Sequence, residues 1–265
     1  PRHSNPMISL DGRTAIVTGA GALDDGIGNG RAAAMLLARA GANVVAADRD
    51  LPRAEQTVRM IEDEGGTALP FAFDVTDESG CARLVDATVA RFGGLHILDN
   101  NVGIGSRGSV IDESYARWQT VMQVNVDSMF LMSKAAIPAM HEGGSIINVS
   151  SISAIRPRGL TAYSTSKGAV MALTQAMAVD HGPDNIRVNC VLPGPVYTPM
   201  VYGGGMSAEA RARRAAAAIL PREGTGWDIG NTVLFLASEL AGWMTGQCLI
   251  VDGGVTLQAP ARDSR

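Results

Sequence analysis

The chain has 265 residues, of which 46% are hydrophobic and 18% are charged, and its formal net charge at pH 7 is −4. A chain of this length can bury a sizeable core, and the mildly acidic charge without a basic block argues against nucleic acid as a partner. No apolar run approaches the roughly 20 residues that a membrane-spanning helix needs, which argues against a membrane partner.

Cysteine and histidine usage excludes further classes of site. Cys81, Cys190 and Cys248 are odd in number and far apart in the sequence, which is typical of free buried thiols in a reducing compartment such as the cytoplasm. The four histidines form neither an H-E-x-x-H motif nor a set with C-x-x-C, so we expect no metal site. The absence of a G-x-S-x-G motif disfavours a serine hydrolase.

The predicted elements alternate between short apolar strands and longer alanine-rich helices. Strands are predicted at residues 14–18, 43–47, 68–73, 95–98, 145–149, 187–192 and 248–251, with helices at 31–40 and 52–64 and further helices between the later strands. Continuously apolar strands are buried on both faces, and their alternation with helices indicates a parallel sheet. The sequence therefore predicts an α/β protein: a single-domain doubly wound (Rossmann) parallel sheet of about seven strands with helices on both faces.

The pattern also predicts where the folded domain begins and ends. We expect a flexible arm at residues 1–9, one domain at 10–254 and a tail at 255–265. Within the domain, the segment 199–222 lacks strand character. Its three consecutive glycines, 203–205, can form a hinge, and 207–219 resembles a short helix of alanine and arginine.

A glycine-rich turn, TGAGALDDGIG at residues 18–28, lies between the first strand and the first helix. Glycines such as Gly19 let the backbone approach a pyrophosphate at the helix N-terminus, although they could also form an ordinary turn. The second strand ends at Asp48, twenty residues after Gly28, where a carboxylate would accept hydrogen bonds from a ribose and repel a 2′-phosphate. These features predict NAD, while the neighbouring Arg49 leaves NADP as the alternative.

Tyr163 and Lys167 lie four residues apart, which places both side chains on one face of a predicted helix. The pKa of a free phenol is about 10, and lowering it by about three units requires roughly 4 kcal/mol. A neighbouring ammonium and a positively charged nicotinamide could supply this, so that the phenol exchanges a proton with an alcohol or ketone. A chance Tyr-x-x-x-Lys is the alternative, but the chain has only one other lysine, Lys134, which we interpret as a surface or interface charge.

Taken together, these motifs make the chain resemble the short-chain dehydrogenase/reductase family over residues 10–254. The matching pieces follow the family's order: the 18–28 turn, Asp74-Val75, Asn100-Asn101-Val102-Gly103, Asn125, Ser150-Ser151, Tyr163-x-x-x-Lys167 and Pro193-Gly194. The resemblance implies an NAD(H)-dependent oxidoreductase that interconverts a small-molecule secondary alcohol and a ketone. An NADPH-dependent carbonyl or 3-oxoacyl reductase is the alternative, and a non-catalytic dinucleotide-binding sensor or scaffold is an alternative of a different class.

The resemblance also implies roles for individual residues. Tyr163 would be the general acid/base, Lys167 would hold the nicotinamide ribose, and Ser151 would hydrogen-bond the substrate oxygen. Asn125 would anchor a water of a proton relay behind Lys167, although it could also bridge helix turns, and Ser151 could serve the strand end. The implied cofactor contacts, besides Tyr163 and Lys167, are Gly19, Ile27, Asp48, Arg49, Asp74, Val75, Asn101, Val102, Gly103, Val196 and Thr198.

The chain departs from the family's pattern in three places. Six residues instead of three separate the first two signature glycines, and we expect Asp24 and Asp25 among them to point into solvent, because negative charge there would oppose a pyrophosphate. Val102 replaces the usual alanine. Asp99 stands where an apolar strand residue is usual, and we expect it to have a partner or to reach solvent, because a buried unpaired carboxylate is costly.

The resemblance assigns the segment 199–222 to a lid over the substrate. Its side chains Met200, Val201, Tyr202 and Met206 would give the lid an apolar inner surface, or they serve in packing alone.

Two arginines follow Ser151 closely in the sequence. Arg156 and Arg158 could recognise an anionic substrate, or they could be solvated. The resemblance further implies a homotetramer, formed through the helices that carry Asn125 and Tyr163 and through the last strand, near Trp243 and Cys248.

Overall fold

The computed structural model describes residues 8–258, so most of the predicted arm and most of the predicted tail, 1–7 and 259–265, lie outside the described residues. The strands in this part of the chain are β1 Thr14–Thr18, β2 Asn43–Asp48, β3 Thr67–Ala72, β4 Ile97–Asn100, β5 Gly144–Val149, β6 Ile186–Pro193 and β7 Cys248–Val251. The α-helices are α1 Asn29–Arg39, α2 Leu51–Asp63, α3 Glu78–Phe92, α4 Tyr115–Met122, α5 Ser128–Ala136, α6 Thr161–His181, α7 Pro199–Tyr202, α8 Ala208–Ala215 and α9 Gly226–Ala237.

The seven described strands form one parallel sheet in the order β3-β2-β1-β4-β5-β6-β7. The predicted doubly wound fold is therefore confirmed. The largest shift in a strand is at β4, which begins and ends two residues later than predicted. Leu95 is buried but precedes the ladder, whose pairing with β5 starts at Ile97 and ends at Asn100, so hydrogen bonding rather than apolarity sets these ends.

Helices cover both faces of the sheet because strand side chains alternate between them. In β1, Ala15 and Val17 point into a core closed by α1, α2 and α9, whereas Ile16 points into a core closed by α3, α5 and α6. The helices α1 and α9 approach closely at Gly230, where a Cβ would lie 2.9 Å from the carbonyl carbon of Ala32. This close packing fixes α1, whose N-terminus lies beside the glycine-rich turn.

Two features near the end of the chain refine the predictions. Val255, expected to begin a tail, is 1% exposed and packs with Met129, Ile152 and Val170, so the folded part continues beyond Gly254. The three cysteines are free thiols; Cys81 and Cys190 are buried as expected, whereas Cys248 is half-buried. Although distant in sequence, Cys190 and Cys248 are directly paired positions of β6 and β7.

The prediction that Asp99 has a partner or reaches solvent is wrong. Its side chain in β4 is 0% exposed, and neither carboxylate oxygen has a hydrogen-bond partner among residues 8–258. Burial raises the pKa of Asp99 to about 8. The fold accommodates the buried Asp99 side chain because its carboxyl group is protonated, and a neutral carboxyl costs much less to bury than a carboxylate.

We expect the stability of the protein to fall, relative to that of Asp99→Asn, as the pH rises from about 4 to about 8. In this window Asp99 is ionised in the unfolded chain but protonated in the folded one. The folded state therefore binds one more proton, and each pH unit removes about 1.4 kcal/mol of unfolding free energy. Urea denaturation at a series of pH values measures the difference, with Asp86→Asn on the exposed face of α3 as the control for losing a surface carboxylate. Parallel pH profiles for wild type and Asp99→Asn would show that Asp99 is ionised in the folded protein.

None of the helices within residues 8–258 combines the length and apolarity that crossing a bilayer would require.

Candidate active site

The candidate site lies at the carboxyl ends of the strands, where the chain direction across the sheet reverses. β1 and β4 are neighbours in the sheet, and the segments that follow them leave towards opposite faces, which opens a crevice at their ends. Asn101 joins the two strand ends: its backbone N–H donates to Thr18 Oγ1 at 3.1 Å, and its Nδ2 donates to the Gly19 carbonyl at 3.4 Å.

Glycines allow the first turn to pass close to α1. Gly19 has a φ of +66°, which an L side chain rarely adopts, and a Cβ there would lie 3.0 Å from Val102 Cγ2. A Cβ at Gly30 would collide with the Gly19 carbonyl oxygen. The predicted residues Gly19 and Val102 therefore shape the turn by contact with each other. Ile27 is half-buried against the core of α1 and α9.

The extended part of the turn is organised by Arg31, a residue that the sequence analysis missed. Its side chain is 0% exposed, and its Nη atoms donate to the main-chain carbonyls of Ala22, Asp24 and Gly26 at 3.2, 2.6 and 2.7 Å. Its Nε donates to Thr57 Oγ1 at 2.9 Å. A hydrogen bond to a charged group of this kind typically contributes about 1.5–3 kcal/mol.

The two aspartates of the turn are exposed, in agreement with the expectation that they point into solvent. Asp25 accepts a hydrogen bond from Gln56 Nε2 at 3.0 Å, and the carbonyl of Asp24 is turned inward to Arg31. Burial lowers the pKa of Arg31, while Asp25 and Asp48 act in the opposite direction. Arg31 thus supplies the positive charge and the hydrogen-bond donors that stabilise the turn with its six residues between Gly19 and Gly26. The signal for it is a single arginine within the alanine-rich helix NGRAAAML.

Asp48 stands at the end of β2 and is tied to the same turn. Its Oδ2 accepts from the Gly21 N–H at 3.0 Å, and its Oδ1 accepts from the Asp50 N–H at 3.0 Å. Each carboxylate oxygen keeps a lone pair for a further donor. Arg49 next to it is exposed.

The predicted pair Asp74 and Val75 follows β3 on the same edge of the sheet. Asp74 is exposed and accepts from the N–H and Oγ1 of Thr76, at 2.8 and 2.7 Å, and these bonds lower the pKa of Asp74. Val75 is half-buried. These residues lie beyond Asp48, on the far side of β2 from the crevice.

A cavity of about 700 Å³ brings together a second group of the predicted residues. They come from the ends of β4, β5 and β6 and from the start of α6. The members of this group are Asn101, Gly103, Ser151, Tyr163, Lys167, Val196 and Thr198. The other predicted residues do not line this cavity. One group lies behind its wall: Gly19, Ile27, Val102 and Asn125. The other group lies along the edge of the sheet towards β3: Asp48, Arg49, Asp74 and Val75.

Tyr163 and Lys167 face the cavity from consecutive turns of α6. Lys167 is 3% exposed; its Nζ donates to the Val149 carbonyl at 2.8 Å and lies 5.8 Å from the centre of the Tyr163 ring. Ser150 Oγ donates to the Lys167 carbonyl at 2.7 Å, and the Tyr163 N–H donates to Ser106 Oγ at 3.0 Å. Lysine and phenol are therefore held at neighbouring positions without a direct bond.

The expected lowering of the phenol pKa is not a property of the protein by itself. Burial raises the pKa of Tyr163, and the Ser151 hydroxyl acts against this rise. Burial also lowers the pKa of Lys167 to about 8. The reason is that both charged forms lose water, while the lysine nitrogen is bonded to a carbonyl rather than to the phenol.

Ser151 and Asn125 occupy structured positions around this pair. Ser151 caps the short turn Ile152–Ala154, and its Oγ accepts from the Ser153 N–H at 3.1 Å. Asn125 is 0% exposed within a π-helical stretch, Gln123–Asp127, that joins α4 to α5. Such stretches often occur at functional sites.

The side chain of Asn125 links the end of β4 to α6. Its Oδ1 accepts from the Ile104 N–H at 2.8 Å, and its Nδ2 donates to the Ile104 carbonyl and to Ser166 Oγ, both at 2.9 Å. Ser166 Oγ in turn donates to the Tyr163 carbonyl at 2.7 Å. The side chain therefore positions the loop after β4 against the start of α6.

The segment 199–222, the predicted lid, lines the cavity with only some of the expected side chains. Met200 and Val201 line it, whereas Tyr202 and Met206 do not. Tyr202 packs instead on the extended turn, since a Cβ at Gly26 would lie 2.7 Å from its hydroxyl, and its ring lies 4.7 Å from that of Tyr197. The first turn and the lid are therefore in contact.

The residues at the crevice fit a dinucleotide. α1 begins after Gly28 with no side-chain cap and no acidic residue in its first turn, which suits an anionic pyrophosphate. Asn29 lines the cavity, and its buried Oδ1 has no hydrogen-bond partner among residues 8–258. Asp48 offers acceptors for a ribose. A buried acceptor without a partner is costly, so Asn29 Oδ1 indicates a ligand that donates there.

Two further observations define what the site contains. No group of three or more histidine, cysteine or carboxylate side chains within residues 8–258 could hold a metal ion. A second cavity of about 480 Å³ adjoins the first beneath α8 and β7, but neither Tyr163 nor Lys167 lines it. The larger cavity is therefore the candidate site.

Comparison with known proteins gives one family. Residues 21–256 match the family model described as enoyl-(acyl carrier protein) reductase. Trans-4-hydroxycyclohexanecarboxylate dehydrogenase of Sinomonas cyclohexanicum is 40% identical over 253 residues, which cover 92% of this chain and 93% of the relative. The 7alpha-hydroxysteroid dehydrogenase of Escherichia coli strain K12 is 35% identical over 250 residues, 93% and 95% of the two chains.

A solved structure agrees with these relatives. A short-chain dehydrogenase/reductase from Burkholderia xenovorans superimposes with a TM-score of 0.90 at 38% identity and covers 96% of this chain and 100% of that chain.

Proposed function

This chain belongs to the short-chain dehydrogenase/reductase family, and we propose that it uses NAD to interconvert a secondary alcohol and a ketone. The family and the dehydrogenase relatives show an oxidoreductase that acts on CH–OH groups. The observation that carries the finer proposal is the shared cavity of Ser151, Tyr163 and Lys167 beside the crevice of β1 and β4. Two relatives are named for dehydrogenation of cyclic alcohols, which favours a cyclic substrate.

In the proposed mechanism the chain's residues handle the proton. The Ser151 hydroxyl donates to the substrate oxygen, and Tyr163 takes the hydroxyl proton as a phenolate during oxidation or donates a proton as a phenol during reduction. Bound NAD supplies the hydride acceptor and a positively charged ring. Lys167 is held by Val149 and holds the ribose, and its charge favours the phenolate. Asn125 acts as a positioning residue through Ile104 and Ser166. That it also anchors a water stays a prediction.

The choice of NAD rests on Asp48. Its carboxylate lies at the end of β2, where a 2′-phosphate would meet a negative charge. Arg49 is the observation that favours the alternative, an NADPH-dependent carbonyl or 3-oxoacyl reductase, because it is exposed beside Asp48.

We expect NAD to bind at least about tenfold more tightly than NADP, and Asp48→Asn to remove most of this preference, because the amide keeps the shape but not the charge. Separate titrations of NADH and NADPH by fluorescence measure both. Arg49→Ala is the matched control at the neighbouring position. Tighter NADPH binding that is lost in Arg49→Ala would contradict the proposal.

The proposal extends to assembly and location. Apolar side chains are exposed around β7, where Trp243 is 101%, Ile250 47% and Leu257 81% exposed. On the helices α5 and α6, Phe130 and Val179 are also exposed. Such surfaces favour burial between subunits and support the homotetramer. The three free thiols suit the reducing cytoplasm.

A further inference from the structure

The wall of the candidate cavity carries an excess of positive charge. Besides Lys167, four arginines line it: Arg156, Arg158, Arg213 and Arg214. None of the described residues that line it is an aspartate or a glutamate. Because the whole chain has a net charge of −4, this concentration of cations in one concave site is opposite to the overall balance.

Other arginines of this region have carboxylate partners. Arg211 on α8 pairs with Glu223 at 2.7 Å, and Arg222 pairs with Asp228 at 2.6 Å. The four arginines of the cavity form no ion pair within the part of the chain that the structure describes. Uncompensated cations that share a cavity repel one another, and an anion would relieve that repulsion.

Three of the four arginines have guanidinium groups free for a ligand. Arg156 donates to the main-chain carbonyls of Val255 and Gln258, which ties the loop after β5 to the end of the fold. Arg158 and Arg213 are exposed and Arg214 is half-buried, and none of the three side chains donates a hydrogen bond within residues 8–258.

The free arginines approach from two elements with an apolar region between them. Arg158 follows Ser151 by seven residues in the loop after β5, and Arg213 and Arg214 are on α8 of the lid. Ile152, Leu160 and Val201 line the space beside them. The cavity therefore offers the Ser151–Tyr163 pair, an apolar wall and a cationic rim.

We infer that the substrate is an alcohol or ketone with an apolar body and an oxyanion group, such as a carboxylate, which Arg213 and Arg214 of the lid bind together with Arg158. This rests on the proposed function, since it concerns the substrate of the same site. A guanidinium presents paired N–H donors that match a carboxylate or a phosphoryl group. Binding the anion from both the lid and the loop after β5 also closes the lid over the reacting carbon.

The test compares a charged alcohol with its neutral counterpart, 4-hydroxycyclohexanecarboxylate with its methyl ester. We expect wild type to prefer the acid in kcat/KM by about tenfold or more, and the double variant Arg213→Gln/Arg214→Gln to lose that preference through a raised KM for the acid. Oxidation of the ester should be unchanged. Arg91→Gln, on the exposed end of α3, is the control for removing a surface arginine.

Binding of cyclohexanecarboxylate to the NADH complex, measured by calorimetry, gives a readout that needs no turnover. We expect the double variant to weaken it about tenfold or more. Cyclohexanephosphonate in the same titration distinguishes the two sources of oxyanion, and we expect the carboxylate to bind at least as tightly.

The outcomes separate this inference from the proposed function. If wild type oxidises ester and acid equally well and the double variant changes neither, the inference is wrong while the proposed function stands. If wild type oxidises no alcohol, the proposed function fails, and unchanged carboxylate binding in the double variant would overturn the inference as well. A loss of NADH affinity with an unchanged acid-to-ester ratio would assign the arginines to the cofactor and overturn it.

Discussion

Replacing Tyr163 by phenylalanine is expected to lower kcat about 10³-fold, or by roughly 4 kcal/mol in the barrier. The variant loses only the hydroxyl that exchanges the proton. Its ring still fills the cavity wall, and the bond from its backbone N–H to Ser106 Oγ does not depend on the side chain. Steady-state oxidation of a cyclic alcohol, together with an NADH titration, measures turnover and cofactor binding separately.

The control for this exchange is Tyr115→Phe, because Tyr115 is 74% exposed at the start of α4 and outside the cavity. We expect it to retain wild-type kcat. A Tyr163→Phe variant that binds NADH and keeps most of its turnover would show that another group moves the proton.

The second large effect is expected from Lys167→Arg, which should lower kcat/KM about 100-fold. Lys167 is 3% exposed, and a Cβ at Gly103 would lie only 3.0 Å from its Nζ, so the space around the nitrogen is narrow. A guanidinium is wider than an ammonium, and its five N–H groups need hydrogen-bond acceptors. The acceptor that the structure offers at this position is the Val149 carbonyl. The substituted side chain must move, and the ribose and phenol lose their alignment.

Lys134→Arg is the matched control, since it is the same exchange at the other lysine of the chain. Lys134 is exposed on α5 and pairs with Glu78 at 2.6 Å, a partner that an arginine can keep. We expect near wild-type activity from this variant. Equal tolerance of arginine at both positions, measured as kcat/KM under identical conditions, would remove Lys167 from the mechanism.

The fold could be predicted because its signals are local. Most strands contain a short apolar run and the first helix is rich in alanine, so the alternation indicates a parallel sheet, and the ends of elements such as β4 shift. The ends of a strand depend on its partner's hydrogen bonds, which the strand's own sequence does not contain. Tyr163 and Lys167 could be predicted for the same reason, since a helix brings residues four apart to one face.

Arg31 could not be predicted because its function depends on the folded turn. Three carbonyls from residues 22–26 and the hydroxyl of Thr57 converge on one guanidinium only when α2 packs beside α1. The sequence shows that residues 20–25 lengthen the first turn, but it does not show which side chain stabilises the longer turn. An arginine on the buried side of an alanine-rich helix is the signal to look for elsewhere.

Asp99 shows the opposite limit. The general cost of a buried carboxylate led to the expectation of a partner, but in this strand the side chain meets that cost by holding its proton. A sequence shows that a residue lies in an apolar strand. Whether it is ionised depends on how completely the helices on that face exclude water.

Some of the arginines that line the cavity could be singled out from the sequence, and others could not. Arg156 and Arg158 are close to Ser151 in sequence, so they could be singled out, although the structure uses Arg156 to hold the end of the fold. Arg213 and Arg214 are more than fifty residues away, and they join the same cavity because the lid folds back across the ends of β5 and β6. Only tertiary structure brings the four together.

The proposed transfer of hydride and proton is tested most directly by following deuterium from a secondary alcohol, labelled on its carbinol carbon, to NAD in wild type and in Tyr163→Phe. We expect wild type to give deuterated NADH and the matching ketone in equal amounts. We expect Tyr163→Phe, saturated with NAD, to transfer deuterium about 10³-fold more slowly. Binding of NAD by wild type without deuterium transfer from any cyclic or open-chain alcohol would contradict the proposed function, and equal transfer rates in the two proteins would contradict the assigned role of Tyr163.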